Sequence, residues 1–205
     1  MRRRALIVFA KPPHAGKVKT RLGKSLGMNV AAELYDRFAH HAFSLAEEMQ
    51  RGGVTVSLWF DPEASAAEMR QWVNRPFQFH PQQGTDLGGR MKTAFETAFA
   101  EGAHEAIIIG TDVPDLRLEI LLNAFDLLAA VDIVLGPSTD GGYYLLGMRR
   151  PVLDLFDGVA WSTDAVLAQT LKRIQALQLT SALLPELSDI DTEADYRAFL
   201  RRNTP

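Results

Sequence analysis

The sequence predicts an α/β fold, a mostly parallel sheet with helices on both faces, in a single domain over residues 1–205. Three observations carry that prediction. Short apolar runs alternate with segments whose apolar residues recur at helical spacing, the pattern of successive βαβ units. No repeat, low-complexity tract or linker divides the chain. Its 205 residues suit one domain, and a chain of that length buries roughly 70% of its unfolded surface without metal or disulfide support.

Residues 5–10 (ALIVFA) read as a buried strand. From about Asn29, the residues Val30, Leu34, Phe38, Leu45 and Met49 follow helical spacing, and Gly52-Gly53 stop that helix. Residues 54–60 (VTVSLWF) are strand-like, and Asp61-Pro62 then open a helix over about 64–73. A short strand over 77–79 precedes the helix Leu87–Ala100, which gathers Met91, Ala94, Phe95, Ala98 and Phe99 on one side. Residues 106–110 (AIIIG) are the clearest buried strand. A helix over 118–129, strands over 132–135 and 143–148, a helix over 162–177 and a short strand over 181–184 complete the alternation. The last helix starts near Thr192, where Thr192 and Asp195 stand at capping-box spacing with Asp in place of Glu.

Composition removes several function classes. A net charge of −3 argues against a dedicated nucleic-acid binder, which carries a broad basic face. The chain has no cysteine. That excludes a disulfide framework, thiolate catalysis and cysteine-based metal sites, and it fits a reducing compartment. The apolar stretch after Arg2-Arg3-Arg4 is too short for a secretory core and runs into Lys11-Pro12-Pro13. No apolar run reaches the ~20 residues of a membrane span. The expectation is a cytoplasmic protein.

Ligands of open α/β sheets bind beyond the carboxyl ends of the strands, which directs attention to the loops after Ala10, Gly110 and Leu135. The first is "FAKPPHAGKVKTRL". It is not a Walker A loop, because Lys11 stands where the first glycine belongs and Val18 follows Gly16-Lys17. Gly16 permits a tight path, and Lys11, Lys19 and Arg21 offer the point charges and forked donors that a pyrophosphate needs. A solvated basic turn is the plain alternative. The second loop, Thr111-Asp112-Val113-Pro114, sets a carboxylate at a buried strand end. Asp112 suits Mg²⁺ or Mn²⁺, hard cations that take few protein carboxylates and complete their shell with phosphate and water. It equally suits a cap before Pro114. The third loop, "GPSTDGGYY", contains Asp140, Gly141, Gly142, Tyr143 and Tyr144. Its glycines let backbone approach a sugar or acceptor, although Asp-Gly is also a hairpin signal. Trp161-Ser162-Thr163-Asp164 heads a helix, with Ser162 or Thr163 as its N-cap. Asp189-Ile190-Asp191 brings two carboxylates, of which a cap explains one. His40, His41, His80 and His104 read as packing or surface residues.

Taken in order, "FAKPPHAGKVKTRL", "GTDVPDL", "GPSTDGGYYLLG", "WSTDAVL" and "DIDTEADY" resemble a bacterial family of small GT-A-type proteins. Its members are catalogued as glycosyltransferases or nucleotide-diphospho-sugar transferases, some of them associated with arsenosugar biosynthesis. The resemblance spans about residues 5–200. More distantly the organisation is similar to phospholactate guanylyltransferase and the molybdenum-cofactor guanylyltransferase. The resemblance implies a Rossmann-like nucleotide-diphospho-sugar transferase fold, a nucleotide beside the first loop, a divalent metal near Asp112, and Asp191 as a second metal ligand. Two departures stand out. A Lys/Pro-containing loop replaces the glycine-rich loop of sugar-nucleotide pyrophosphorylases, and Thr111-Asp112 replaces a full D-x-D.

The expected reaction is metal-dependent transfer from a nucleotide-diphospho-sugar donor to a small-molecule acceptor. Asp112 and Asp191 would hold Mg²⁺ or Mn²⁺, and Lys19 and Arg21 would face the departing phosphates. Gly141, Gly142 and Tyr143 would line the sugar or acceptor pocket. Asp140 and Asp164 are alternative bases. A nucleotidyltransferase releasing pyrophosphate from an NTP uses the same residues with the reaction centre moved. A non-catalytic nucleotide sensor is a third reading.

Overall fold

Successive residues of the central strands face opposite sides, and both sides are covered. Leu6, Val8, Val56, Leu58, Ile107, Ile109 and Val134 pack in one core, while Ala5, Ile7, Ala106, Ile108, Ile133 and Leu135 pack in another. The computed structural model describes residues 2–203. Its strands are β1 (Arg4–Ala10), β2 (Thr55–Phe60), β3 (Gln78–Pro81), β4 (Glu105–Ile109), β5 (Ile133–Pro137), β6 (Tyr143–Met148) and β7 (Ser181–Leu183). They form one seven-stranded sheet in the order β3-β2-β1-β4-β6-β5-β7.

Only β6 runs against the others: it pairs antiparallel with β4 and with β5, and every other pairing is parallel. The sheet is therefore mixed but mostly parallel. Residues 138–142 form a hairpin connection between β5 and β6, with Ser138 N–H bonded to Gly142 O at 3.1 Å. The hairpin reading of Asp-Gly-Gly holds, and it inserts β6 beside β4.

The helices are α1 (Thr20–Leu26), α2 (Met28–Arg51), α3 (Ala66–Val73), α4 (Leu87–Ala100), α5 (Leu118–Leu128), α6 (Val166–Ala176) and α7 (Glu193–Asn203), with a 3₁₀ turn at Leu153–Phe156. Residues of α2, α3 and α5 line the first core; those of α4 and α6 line the second. A third cluster joins Leu22 of α1 and Leu34 and Phe38 of α2 to Ile190, with Tyr196 and Phe199 of α7 against it.

Local chemistry explains most boundaries. Gly53 at φ 89° follows the Gly52 cap of α2. The α7 capping box is reciprocal: Thr192 N–H donates to Asp195 Oδ2 at 2.7 Å and Asp195 N–H to Thr192 Oγ1 at 3.3 Å. Two expected starts move. Ser65, not Asp61-Pro62, caps α3, accepting from Glu68 N at 3.1 Å. Helix α6 begins at Val166 rather than near Ser162, because Ser162 has φ 64° and Thr163 Oγ1 donates back to Ala160 O at 2.7 Å. Short α1 was not expected from its pattern, since Gly23 interrupts it.

Candidate functional site

Strands β1 and β4 are neighbours whose following chains depart in different directions, and a cleft of about 900 Å³ opens beyond their carboxyl ends. This is the switch point at which open α/β sheets bind ligands, and its volume lies within the range of small-molecule sites. The loops after β1, β4 and β5 all reach it, as does the segment before α7.

Lys19 is the centre of the site. It precedes α1 in the left-handed conformation, φ 46° and ψ 43°. Its side chain is 3% exposed, with the ammonium 2.7 Å from Asp191 Oδ1 and 3.2 Å from Asp112 Oδ1. Burial opposes its charge, but the two carboxylates outweigh that and hold its pKa above the ordinary value. The two aspartates meet for a structural reason. Ile190 is fully buried, its N–H donates to Asp112 O at 3.3 Å, and its neighbours Asp189 and Asp191 thereby line the cleft.

The carboxylates are not fully partnered. Asp112 Oδ1 is buried and makes no hydrogen bond, its contact with Lys19 being an ion pair without hydrogen-bond alignment. Burial, followed by the charges of Asp140 and Asp191, raises the pKa of Asp189 to about 6, against a lowering by Lys19. One ammonium thus faces several acids.

The other basic residues of the first loop have separate attachments. Lys11 pairs with Asp61 at 3.2 Å, His14 with Glu68 at 2.8 Å and Lys17 with Glu63 at 3.2 Å, which ties the loop to the segment after β2 and to the first turn of α3. Arg21 lines the cleft, exposed, and has no ion-pair or hydrogen-bond partner among the described residues. Gly16 lies outside the cleft lining; its φ of 78° serves the turn. At the hairpin, Asp140 Oδ1 accepts from Gly142 N at 2.9 Å and from the Ser138 hydroxyl. Gly141, at φ 86°, abuts the loop before α6, where a β-carbon would collide with the Asp164 carbonyl oxygen. Gly142, Tyr143 and the Asp164 side of the loop line the cleft. The Tyr143 hydroxyl is buried, and burial raises its pKa.

Sequence reasoning missed a fourth loop, after β3. Gln82 Nε2 donates to Trp59 O at 3.0 Å, Gln82 Oε1 accepts from Arg90 at 3.2 Å, and Arg90 joins the cleft wall. Gly88 lets Trp161 close against α4, since a β-carbon there would meet the indole nitrogen. The run Gln82–Arg90, glycine-rich at a strand end, was the available signal. Tyr35 was also missed, because it lies within a helix that was read only by its apolar spacing. Its hydroxyl receives Lys11 N–H at 3.0 Å and contacts Thr111 Oγ1 at 3.0 Å, joining the first two loops.

Asp112 and Asp191 fit a hard divalent cation. Their side chains are 47% and 42% exposed and share one cation already, and such ions take one or two carboxylates plus phosphate and water. The described residues contain no group of three His, Asp or Glu able to hold a metal alone, so ligand oxygens must complete the shell. No described helix is long and apolar enough to cross a membrane.

The family model for "Uncharacterized protein conserved in bacteria (DUF2064)" matches residues 44–163. The chain belongs to this family. The DUF2064 match contains Asp112 and the hairpin, while Lys19 and Asp191 lie outside it. A crystal structure of a "putative nucleotide-diphospho-sugar transferase" from Desulfovibrio desulfuricans G20 is 33% identical, with a TM-score of 0.93, over 100% of this chain and 89% of the other. The fold is thus that of nucleotide-diphospho-sugar transferases. Two more distant structures share it. CMP:2-keto-3-deoxy-manno-octonic acid synthetase complexed with CTP is 14% identical, with a TM-score of 0.58, over 98% and 99% of the chains. A Mycobacterium tuberculosis H37Rv protein in complex with manganese is 14% identical, with a TM-score of 0.54, over 98% and 99% of the chains. No curated protein matches.

Proposed function

We propose that this chain is a metal-dependent glycosyltransferase that uses a nucleotide-diphospho-sugar donor and a small-molecule acceptor. The observation that carries the reading is convergence: Arg21 and Lys19 from the β1 crossover meet Asp112 at the β4 tip and Asp191 before α7 in one cleft. The Desulfovibrio relative supports the same donor class.

Arg21, free of partners among the described residues, binds the donor's phosphate oxygens as a fork. Asp112 and Asp191 would hold a divalent cation, which would supply charge neutralisation at the departing diphosphate. Tyr35 keeps the two loops at a fixed spacing through its contacts with Lys11 N and Thr111. Asp140 spends one oxygen on the hairpin and offers the other to acceptor or sugar hydroxyls. Asp164, in the loop packed against that hairpin, is the candidate to accept the acceptor's proton.

A nucleotidyltransferase is the second reading, favoured by the likeness to a CTP complex and by the absence of a full D-x-D at Thr111-Asp112. Incubation with labelled sugar nucleotides and NTPs in Mn²⁺ tests both. Nucleoside diphosphate release supports glycosyl transfer, pyrophosphate release supports the second reading, and turnover of neither class overturns both.

A further inference from the structure

The feature left unexplained is an ammonium seated where the two proposed metal ligands face each other. We propose, resting on that reading of the site, that Lys19 is an exchangeable counter-ion: its ammonium holds Asp112 and Asp191 together until a divalent cation takes the carboxylates and frees it for the donor's phosphates.

Three observations converge. The ammonium approaches from inside, on a side chain 3% exposed, while Asp112 and Asp191 are 47% and 42% exposed toward the cleft. An ion entering from solvent therefore reaches carboxylate oxygen without crossing the lysine. The ammonium is also unevenly held, bonded to Asp191 but lacking hydrogen-bond alignment with Asp112 Oδ1, which stays buried and unbonded. Finally, Asp140, Asp189 and Asp191 with Asp112 outnumber the one cation set among them.

Exchange rather than addition follows from distance. A hard divalent ion bonds oxygen at ~2.0–2.1 Å, inside the 2.7 Å that now separates Asp191 Oδ1 from Lys19 Nζ. Bound to the cleft side of the same carboxylates, the ion would stand a few ångströms from the ammonium, and like charges that close repel each other strongly. The left-handed backbone at Lys19 is costly for a residue with a β-carbon, and it aims the side chain at the carboxylate pair. With the pair metal-bound, Asp189 stays near the lysine, and donor phosphates entering the cleft beside Arg21 offer it new anionic partners. Metal and phosphate binding would then favour each other, by reciprocity of linked equilibria.

The test is a titration of the full chain with Mn²⁺ alone, following free Mn²⁺ by electron paramagnetic resonance. Lys19→Met should bind Mn²⁺ at least tenfold more tightly than the unaltered protein, having no ammonium to displace. Equal or weaker binding would overturn the exchange. Should Lys19→Met fail to fold, a crystal structure of the unaltered protein soaked in Mn²⁺ decides. Nζ moved away from both carboxylates supports the proposal, and Nζ still within 3.2 Å of both sinks it. The outcomes also separate from those of the transferase reading. Exchange without any donor turnover leaves Lys19's role standing and removes the reaction, whereas turnover with no Mn²⁺ bound by either protein does the reverse.

Discussion

The two ends of the sheet treat buried charge in opposite ways. At the amino ends, Glu105 is 0% exposed and held by Arg2 at 2.7 Å and Arg4 at 3.1 Å. Beside it, Asp132 accepts from Thr180 N at 3.0 Å, Thr180 Oγ1 at 2.8 Å and Arg149 at 2.8 Å. Both oxygens of Glu105 and of Asp132 are matched by donors. At the carboxyl ends, one lysine serves Asp112 and Asp191, and Asp189 and Asp140 stand near without a cation of their own. The first arrangement is complete and stabilises the fold. The second is short of positive charge, which is what a site for a cation and an anionic donor requires.

This contrast can be broken at each end. The largest effect belongs to Asp112→Asn, for which metal-dependent kcat/KM should fall at least ~100-fold, equivalent to ~3 kcal/mol. Its melting temperature should hold or rise, because a carboxylate leaves an acidic cluster; steady-state kinetics and calorimetry read the two. Glu105→Ala reverses the pattern. Losing two charge-assisted bonds around a buried carboxylate should cost roughly 2–3 kcal/mol in urea unfolding, less than a fully buried pair because both arginines remain part-exposed. Activity per folded molecule should not change. Arg21→Ala comes third, raising KM for the donor ~10-fold with a smaller change in kcat.

The smallest effect is in pH. Hydrogen bonds from Thr180, then Arg149, hold the Asp132 pKa well below the ordinary carboxylate range. Its stabilisation is therefore present at neutral pH and lost as pH falls below about 4. Asp189, raised to about 6, has the opposite sign: the protonated form is favoured in the fold, and stability is lost as pH rises through 6. Asp189→Asn should stabilise the protein at pH 7 relative to pH 4.5, by ~1 kcal/mol or less given its solvent screening. An equal effect at both pH values would contradict the assignment.

Much of this architecture was readable. Apolar runs and helical spacing marked all seven strands and the long helices, because the central strands, buried on both faces, demand the pattern locally. The strand-end rule led to Asp112 and the basic loop. It could not say which cations were free: Lys11 was grouped with Lys19 and Arg21, yet Asp61 after β2 engages it. Arg90 and Tyr35 were hidden inside helices whose spacing suggested only packing.

The sequence alone determined the order and type of the elements and the chemistry available at each strand end, because periodicity and turn residues act between near neighbours. Tertiary structure decided how the charges pair. Lys19 and Asp191 stand 172 positions apart, and the burial of Ile190 against Leu22 and α2 brings their loops to one cleft. Electrostatic energy depends on separation in space, which local pattern does not encode.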